Sequence, residues 1–374
     1  MFTLEALDAN NGDCLFLHFG TSSATKLIII DGGPQHSGVS TFSSAIQPRL
    51  KQIAQNRGVS LPLAVELLMV SHIDDDHIGG VLKILAKANT ASSPLVNIPA
   101  AWHNSFDDFL RTDQLDALSS FGDTTGAAAA SFDSHTLAMA AGVKQGLQVR
   151  DKVAALGIQA NAGTAHGFVA AGDSFTIGGM KMTILGPAKA ELEALQGKFD
   201  DENPNLASMT ASERRAAMAA FTDDSIANLS SIVVLAERNG KRMLLTGDAR
   251  GDKILQGLNA AGLMENGKIT VDLLKIPHHG SDRNVSTEFF RRVVAKHYVF
   301  SGDGSNGNPD KATLTMLTEA RGNKKYEMYF THRLPHITSF VNQDRANHTR
   351  KYEVTFREGN DFSLHVDLEE ELDF

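Results

Sequence analysis

The segment from Ser71 to Gly80, with the sequence SHIDDDHIGG, places two histidines and three aspartates within six residues. It follows the apolar run Leu67–Val70, which is short and is closed by a polar residue, so the run predicts a buried strand. The Gly-Gly pair gives the backbone freedom to turn, and the apolar residues after it recur at helical spacing. The sequence therefore predicts a strand end, a loop of potential ligands and a helix in succession.

Imidazole and carboxylate groups at this spacing suit zinc, manganese or iron, because close neighbours can occupy adjacent corners of one coordination shell. The alternative is an acidic surface turn, since runs of charge usually face solvent. Such a turn would not need His72 and His77 on either side of the aspartates. Cys14 is the single cysteine, so the chain can form neither an internal disulfide nor a cluster of thiolate ligands. Histidine and carboxylate side chains must therefore hold any metal.

Four further segments accompany this cluster in a fixed order. They are KLIIIDGG at 26–33, NLSSIV at 228–233, LLTGD at 244–248 and PHHGS at 277–281. Together with the pattern His-x-Asp-x-Asp-His-x-Gly-Gly over 72–80, they resemble the metallo-β-lactamase superfamily, in the variant with aspartate in place of the second histidine. That variant is similar to the hydrolase domain of the DNA-uptake competence protein family.

The resemblance implies an α/β (α+β) fold, the four-layer αββα metallo-β-lactamase sandwich, as a single domain over residues 1–374. The chain pattern agrees, because strands lead and helices follow in each half. The Ala-, Ser- and Gly-rich stretch 97–166 predicts a helical insertion that caps the active-site face, or else a structural edge without substrate contact. Residues 360–374 are assigned to an acidic C-terminal tail, although 362–366 has strand character; the tail would solubilise the chain or dock a partner.

The resemblance also implies the site residues. The metal ligands are expected to be His72, Asp74, Asp76, His77, Asp248 and His278. The catalytic residues among them are expected to be Asp76, His77 and Asp248. Residues that support the ligands or contact substrate are expected to be Asp31, His279 and Ser281. His278 is preferred to His279 as a ligand because related sites often keep the histidine two places before the glycine, and Asp248 can bridge two ions through its two oxygens.

Three features depart from the fullest form of the motif. Asp74 stands where a histidine would, which makes the first site harder and favours manganese as an alternative to zinc. Two divalent ions are expected, with zinc first and manganese second. The histidine of the third motif is not identifiable, and the sequence leaves His103, His135 and His166 open. Asn308-Pro309 stands where His-Pro is often found, so no substrate contact is assigned to it.

The expected reaction is hydrolysis by a metal-bound hydroxide, because a bound ion lowers the pKa of water from near 16 to about 7. The chain has no Gly-x-Ser-x-Gly nucleophile motif. The resemblance favours a phosphodiesterase or nuclease, with nucleic acid or another phosphodiester as substrate. Cleavage of another ester, a thioester or a lactam stays open. The alternative of another class is a gated effector or binding subunit with a partly degenerate metal site.

Charge and hydropathy limit which partners and which cellular location are expected for the protein. The formal net charge of -9 argues against a broad basic nucleic-acid surface, although not against a nuclease with a local basic patch. Nearby positive charge would come from Lys275, Arg283, Arg291 and Arg292, or these side chains are simply solvated. The chain starts without a basic and apolar leader, and no run is long enough to span a bilayer. We therefore expect a cytoplasmic protein without a membrane partner.

Overall fold

The computed structural model describes residues 1–36, 38–104, 134–164, 167–192 and 230–369, with the backbone alone for 134–144. Strands of the first half are β1 Phe2–Leu7, β2 Leu15–Thr21, β3 Ala24–Ile30, β4 Gln35–His36, β5 Val39–Ser40, β6 Leu63–Ala64, β7 Leu67–Met69, β8 Val96–Asn97, β9 Ala100–Trp102 and β10 Gln159–Ala160. The later strands are β11 Ser174–Ile177, β12 Met180–Gly186, β13 Val233–Arg238, β14 Lys241–Leu245, β15 Ile269–Lys275, β16 Val293–Phe300, β17 Lys325–Phe330, β18 Lys351–Phe356 and β19 Ser363–Asp367.

Seven α-helices lie in the part of the chain that the structure describes. They are α1 Gln47–Asn56, α2 Asp75–Leu85, α3 Ser134–Ala155, α4 Gly251–Ala260, α5 Thr287–Arg292, α6 Lys311–Arg321 and α7 Pro335–Asn347. A π-helix over Phe42–Ile46 precedes α1, and a 3-10 turn occupies Pro277–Gly280. No helix in these ranges combines the length and the apolar character needed to cross a bilayer.

Two large mixed sheets organise the molecule, which confirms the predicted α/β class. One has seven strands in the order β10-β9-β7-β3-β2-β1-β19, and the other has eight in the order β11-β12-β13-β14-β15-β16-β17-β18. In the first sheet β7, β9 and β10 extend β3 with parallel pairing, whereas β1, β2 and β19 pair antiparallel. In the second sheet β14 to β18 are parallel. The parallel strands of each sheet therefore end together at one edge.

Apolar side chains of the described residues fill three large cores, and Phe168, Ala170 and Leu192 form a small fourth cluster. The run Leu27–Ile30 is buried on both faces, because successive side chains of a strand point to opposite sides. One core contains residues of both sheets, Ile28 and Met182 among them. A second joins the first sheet to α1, α2 and α3, and a third joins the second sheet to α4, α5, α6 and α7. Each sheet is therefore covered by the other sheet on one face and by helices on the opposite face.

The described parts of residues 97–166 belong to the body of the first half. Strands β9 and β10 extend its sheet, and Val149 and Val153 of α3 pack into the core beneath α2. Residues 105–133 and His166 lie outside the described ranges, so the cap over the active-site face stays a prediction. The strand character at 362–366 appears as β19, which pairs with β1. Only residues beyond it could form the predicted tail, and 370–374 are not described.

Candidate metal centre

Strand β7 delivers the first group of polar side chains. His72 follows the strand, and α2 begins three residues later at Asp75. Asp74 has an extended backbone and its carboxylate accepts the Asp75 N–H at 2.8 Å, which is the geometry of a helix N-cap. The first turn of α2 carries Asp76 and the fully buried His77. The capping residue thus fixes where the helix starts and directs His77 into the interior.

The helix packs directly against the turn that follows β3. A Cβ atom on Gly80 would lie 1.9 Å from the carbonyl oxygen of Gly32, so glycine is required for this approach. In the same turn Asp31 has a φ of 60°, a left-handed conformation that aspartate adopts more readily than most side chains. The close packing of this turn holds Asp31 beside the metal-ligand loop.

Asp31 organises that loop through both carboxylate oxygens. Its Oδ1 accepts the backbone N–H of Ser71 at 2.7 Å, and its Oδ2 accepts the Ser71 hydroxyl at 2.6 Å. His77 Nδ1 lies 2.9 Å from the same Oδ2, so this nitrogen carries the proton and donates it. The other ring nitrogen, Nε2, is then free of a proton in the neutral ring and can bind a metal. Asp31 thus joins the ligand loop to His77, and its role as a support for the ligands stays a prediction.

The second half contributes Asp248 and an unusual histidine turn. Asp248 follows β14, is 3% exposed and donates its backbone N–H to Ser231 Oγ at 3.2 Å. His278 and His279 have φ values of 47° and 53°, and each left-handed residue of this kind costs roughly 1–2 kcal/mol. Hydrogen bonds from His278 N–H to Gly247 O at 3.2 Å and from Ser281 N–H to His278 O at 2.8 Å hold the turn. The strained turn presents both imidazoles to one carboxylate.

The ligand atoms of the two halves converge around Asp248. His77 Nε2 lies 3.3 Å from Asp248 Oδ1, and His72, His278 and His279 place Nε2 at 3.8, 3.7 and 3.5 Å from Asp248 Oδ2. His279 Nε2 is also 3.2 Å from His77 Nε2 and 3.6 Å from Asp76 Oδ2. Ligands of a tetrahedral zinc ion at the usual bond lengths lie about 3.4 Å apart. The spacing therefore fits the coordination shell of a divalent ion.

Two atoms of this cluster are buried and lack a hydrogen-bond partner among the described residues, namely His72 Nε2 and Asp248 Oδ1. A buried polar atom without a partner costs free energy, and a bound cation would remove that cost for both. The donor set, imidazole nitrogen with carboxylate oxygen, suits zinc or manganese. The residues present thus fit the expected metal chemistry.

Five of the six predicted ligands meet in this cluster: His72, Asp76, His77, Asp248 and His278. Asp74 differs, because its carboxylate caps α2 and no described hydrogen bond or ion pair joins it to the other five. Ser281 lies behind the cluster, where its N–H closes the histidine turn. The helix cap explains why a side chain within the ligand motif is directed elsewhere in this structure.

The distances change which of the two adjacent histidines is the better candidate for a metal ligand. His279 is buried and approaches His77, Asp76 and Asp248 within 3.6 Å. His278 has a side chain that is 31% exposed, and its Nδ1 lies 2.8 Å from Asn284 Oδ1, which directs Nε2 toward Asp248. The geometry therefore gives His279 a ligand position at least as good as that of His278, contrary to the expected preference. The left-handed turn, which sequence spacing does not reveal, is the reason.

Sequence reasoning missed Asp13. A group of four residues, Asp13, His77, Asp248 and His279, can bring one ligand atom each to within 4.8 Å of one another. The segment Asn10-Asn11-Gly12 before Asp13 is typical of a turn and by itself indicates no metal chemistry. The one signal available was a carboxylate at a strand start near the family motifs, which is too common to be informative alone.

The expected substrate-facing cations are placed differently. Lys275 is fully buried and its Nζ donates to Asp13 Oδ2 at 2.8 Å, so it cannot contact substrate. Arg292 donates to Gly267 O, which precedes the first residue of β15. The histidine turn follows the last residue of β15, so Arg292 lies at the other end of that strand. The expectation that Lys275 and Arg292 supply positive charge to a substrate is therefore wrong. Lys275 forms a buried ion pair with Asp13, and Arg292 lies at the opposite end of the strand.

His103 is the only candidate for the third motif whose side chain is described. It follows β9, is 3% exposed, and neither ring nitrogen has a hydrogen-bond partner among the described residues. Burial lowers the pKa of His103 to about 4, with a contribution from Arg150. It is not a member of the four-residue group around Asp248. The third-motif ligand therefore stays open.

Charge is concentrated in the cluster. Burial alone would lower the pKa of His279, but the carboxylates of Asp248 and Asp13 raise it to about 10. The pKa of His77 is likewise raised despite burial, by Asp248 and Asp31. Burial raises the pKa of Asp76 to about 7, with Asp74 and Asp248 adding to the effect. Protons thus occupy the cluster when no cation does, and metal binding must release them.

No family model matches this chain. Among curated proteins, a segment is similar to microtubule-associated protein 1A: 39% identical over 75 residues in the Homo sapiens protein and 46% identical over 54 residues in the Rattus norvegicus and Mus musculus proteins. These segments cover 18% or 14% of this chain and only 3% or 2% of the relatives. A match of this extent does not assign the chain to a family.

Two solved structures are also similar at low scores. A protein of Parabacteroides distasonis ATCC 8503, named as a metal-dependent hydrolase, has a TM-score of 0.33 at 10% identity, covering 86% of this chain and 94% of that one. A protein of unknown function from Enterococcus faecalis V583 has a TM-score of 0.31 at 10% identity, covering 96% and 78%. At TM-scores this low neither structure establishes the fold or the activity of this chain.

Proposed function

We propose that the chain is a metal-dependent hydrolase built on the four-layer αββα metallo-β-lactamase sandwich. The arrangement of three cores, with the two sheets facing each other and helices outside both, supports this architecture. The observation that carries the function is the convergence of imidazole and carboxylate atoms from both halves at 3.2 to 3.8 Å around Asp248. Side chains that served only packing would not need to leave His72 Nε2 and Asp248 Oδ1 buried without a hydrogen-bond partner among the described residues.

We propose that the residues around Asp248 would hold two divalent ions. His72 and His278 both approach Asp248 Oδ2 and would hold one ion, while Asp76, His77 and His279 would hold the other. Bound ions supply Lewis acidity and lower the pKa of water, which is the chemistry that hydrolysis requires. Zinc is the first candidate and manganese the second, because the donors mix nitrogen and oxygen.

The protein side chains contribute orientation and proton control. Asp31 keeps the proton of His77 on Nδ1, and Asn284 accepts the Nδ1 proton of His278 at 2.8 Å while its own amide donates to Asp248 O at 3.0 Å. These contacts fix the tautomers in which every Nε2 faces the cluster. Asn11 Nδ2 lies 3.3 Å from Asp76 Oδ2 and limits the rotation of that carboxylate. The ligands are therefore preorganised by a supporting set of polar groups.

We propose a phosphodiester, with nucleic acid first, as the substrate. Two ions sharing a carboxylate can stabilise both the attacking and the leaving oxygen in phosphoryl transfer. The aspartate variant of the motif and the Pro-His-His-Gly-Ser segment support the same choice through their resemblance to the competence-type nuclease domain. The test is a panel of single-stranded DNA, RNA, a chromogenic phosphodiester, a thioester and a β-lactam, each with zinc and with manganese.

The controls decide between the outcomes. Asp248→Asn should lose at least 100-fold in activity and bind less metal, whereas Asp252→Asn on the exposed start of α4 should match the wild type. Turnover of the thioester or the lactam alone would reject the phosphodiester proposal. Metal binding with complete inactivity on the whole panel would favour an effector or binding subunit, and a folded wild type without metal would reject the hydrolase.

A further inference from the structure

We propose that Asp13, held by Lys275, is the positioning residue for His279, as Asp31 is for His77. This inference rests on the proposed metal-dependent function and extends it to residues outside the motifs. Each of the two central histidines directs Nε2 into the cluster and has a buried aspartate on the side of Nδ1. The two halves of the site would then use the same device, a carboxylate behind a ligand histidine.

The backbone fixes Asp13 between the ligand loop at Asp76 and the turn that follows β3. Its N–H donates to Asp76 O at 3.2 Å, and its carbonyl oxygen accepts the Gly33 N–H at 2.8 Å. A Cβ atom on Gly12 would lie 1.8 Å from Asp76 O, so the turn can approach the ligand loop only with glycine at that position. Asp13 is therefore placed by tight main-chain contacts and not by the chance position of a flexible side chain.

The two carboxylate oxygens of Asp13 have different surroundings. Oδ2 accepts from Lys275 Nζ at 2.8 Å, and that ammonium also donates to Ile276 O at 3.1 Å. Oδ1 has no hydrogen-bond partner among the described residues and lies 3.6 Å from His279 Nδ1. Both side chains of the pair are 1% exposed or less. A buried negative oxygen beside Nδ1 favours the tautomer with the proton on that nitrogen.

Ser301 shares this task. Its Oγ lies 3.1 Å from His279 Nδ1, so the hydroxyl can accept the proton directly while Asp13 supplies the charge behind it. A serine alone would not select the tautomer, because its hydroxyl can either donate or accept. The carboxylate cannot donate, so it decides the direction of the contact. Lys275 is then needed to keep a third carboxylate near Asp76 and Asp248 in its charged form.

The test removes the ion pair without leaving a buried charge. In the double variant Asp13→Leu/Lys275→Met both charged groups are replaced by apolar side chains, so that neither partner is left as an unpaired buried charge. Methionine matches lysine in volume, whereas leucine is larger than aspartate. The matched control is Asp344→Leu/Arg350→Met, which removes an ion pair with a 3.2 Å contact between α7 and the start of β18, away from the cluster. Zinc and manganese affinities are measured by competition with a chelator of known affinity. The protonation of His279 is read from long-range nitrogen–proton NMR spectra of the zinc-loaded proteins.

We expect the Asp13/Lys275 double variant to bind zinc about 10–100-fold more weakly at unchanged stoichiometry. The Nδ1–H signal of His279 should weaken or move, and the control variant should retain both wild-type values. Wild-type affinity and an unchanged His279 signal in the folded double variant would overturn the proposal. The loss of a bound ion would overturn it in another way, by showing that Asp13 is itself a ligand.

Two further measurements keep the test decisive. If the double variant does not fold, Asp13→Asn keeps an oxygen for Lys275 and removes the charge, so the same loss of affinity is expected and wild-type affinity would again overturn the proposal. Zinc binding by the wild type comes first, because a wild type that binds no zinc rejects the proposed hydrolase itself. A variant that binds zinc as tightly as a zinc-binding wild type rejects the role of Asp13 and leaves the proposed hydrolase standing.

Discussion

Replacing Asp31 by asparagine should disable the first half of the metal centre while changing only one atom and its charge. The amide oxygen can still accept the Ser71 N–H, but the amide NH2 group then faces the Ser71 hydroxyl and the Nδ1–H of His77. Two donors cannot satisfy each other, so His77 would have to move its proton to Nε2. That nitrogen is the one 3.3 Å from Asp248 Oδ1, and a protonated nitrogen cannot bind a metal.

The expected magnitude follows from these contacts. Loss of a carboxylate that supports a ligand histidine typically weakens metal binding 10–100-fold, which corresponds to about 1.4–2.8 kcal/mol. A buried donor left without an acceptor costs about 1–3 kcal/mol in the metal-free protein. The φ of 60° adds little to either figure, because asparagine also tolerates the left-handed region.

Calorimetric titration of zinc and urea unfolding of the metal-free protein measure the two quantities separately. Asp252→Asn serves as the control, since its side chain is 57% exposed and should change neither value. Wild-type zinc affinity in Asp31→Asn would refute the tautomer argument. Wild-type stability with weakened zinc binding would show that the amide finds another partner in the turn.

Further predictions concern packing, pH and metal removal. Gly80→Ala should lower stability by about 1–3 kcal/mol in thermal unfolding, because its Cβ would meet Gly32 O, whereas Gly359→Ala has open space and should be neutral; equal melting temperatures would contradict this. The pKa of His103 is lowered to about 4, so the unfolded chain gains a proton below about pH 6.5 that the folded chain takes up only near pH 4. Stability should therefore fall on acidification through this window, by up to roughly 3 kcal/mol. His103→Leu should flatten this slope in the metal-free protein, and an unchanged slope would contradict the assignment. Chelation should lower the melting temperature, because a metal that binds the native state stabilises it. Zinc affinity should rise with pH up to about 10, because the pKa of His279 is raised to about 10 and its proton competes with the metal. A zinc affinity that does not depend on pH would contradict this.

The site was predictable from sequence where it depends on local order. The short apolar run before His72 predicted a strand that ends near the ligands, and β7 has that arrangement. The helix was predicted to start after the Gly-Gly pair, but α2 already starts at Asp75, so Asp76 and His77 lie in its first turn. Asp248 and the histidine pair follow strands for the same reason. Parallel strands of one sheet end at a common edge, so their convergence follows from topology once the sheet is known.

The rest depends on contacts between segments far apart in the chain. Asp13 lies in the site because β1 and β2 place the turn between them against Asp76, and no pattern within that turn predicts the contact. Lys275 ends a strand, where a cation for substrate seems reasonable, yet its side chain points into the core toward Asp13. The choice between His278 and His279 depends on two left-handed residues, a conformation that side-chain propensities do not favour.

The metal centre also ties the two halves of the chain together. Ser71 O, beside the first ligands, accepts the N–H of Ile232 from the second half at 2.8 Å, and a Cβ on Gly247 would lie 3.1 Å from the Ser71 side chain. The ligands around Asp248 thus lie at the junction of both sheets, so a bound ion stabilises their association as well as each loop. Metal binding to the native arrangement alone should therefore raise the stability of both halves in parallel. Hydrogen exchange in β3 and β15, one strand from each sheet, should slow together on adding zinc, and slowing confined to one sheet would show that the centre does not couple them.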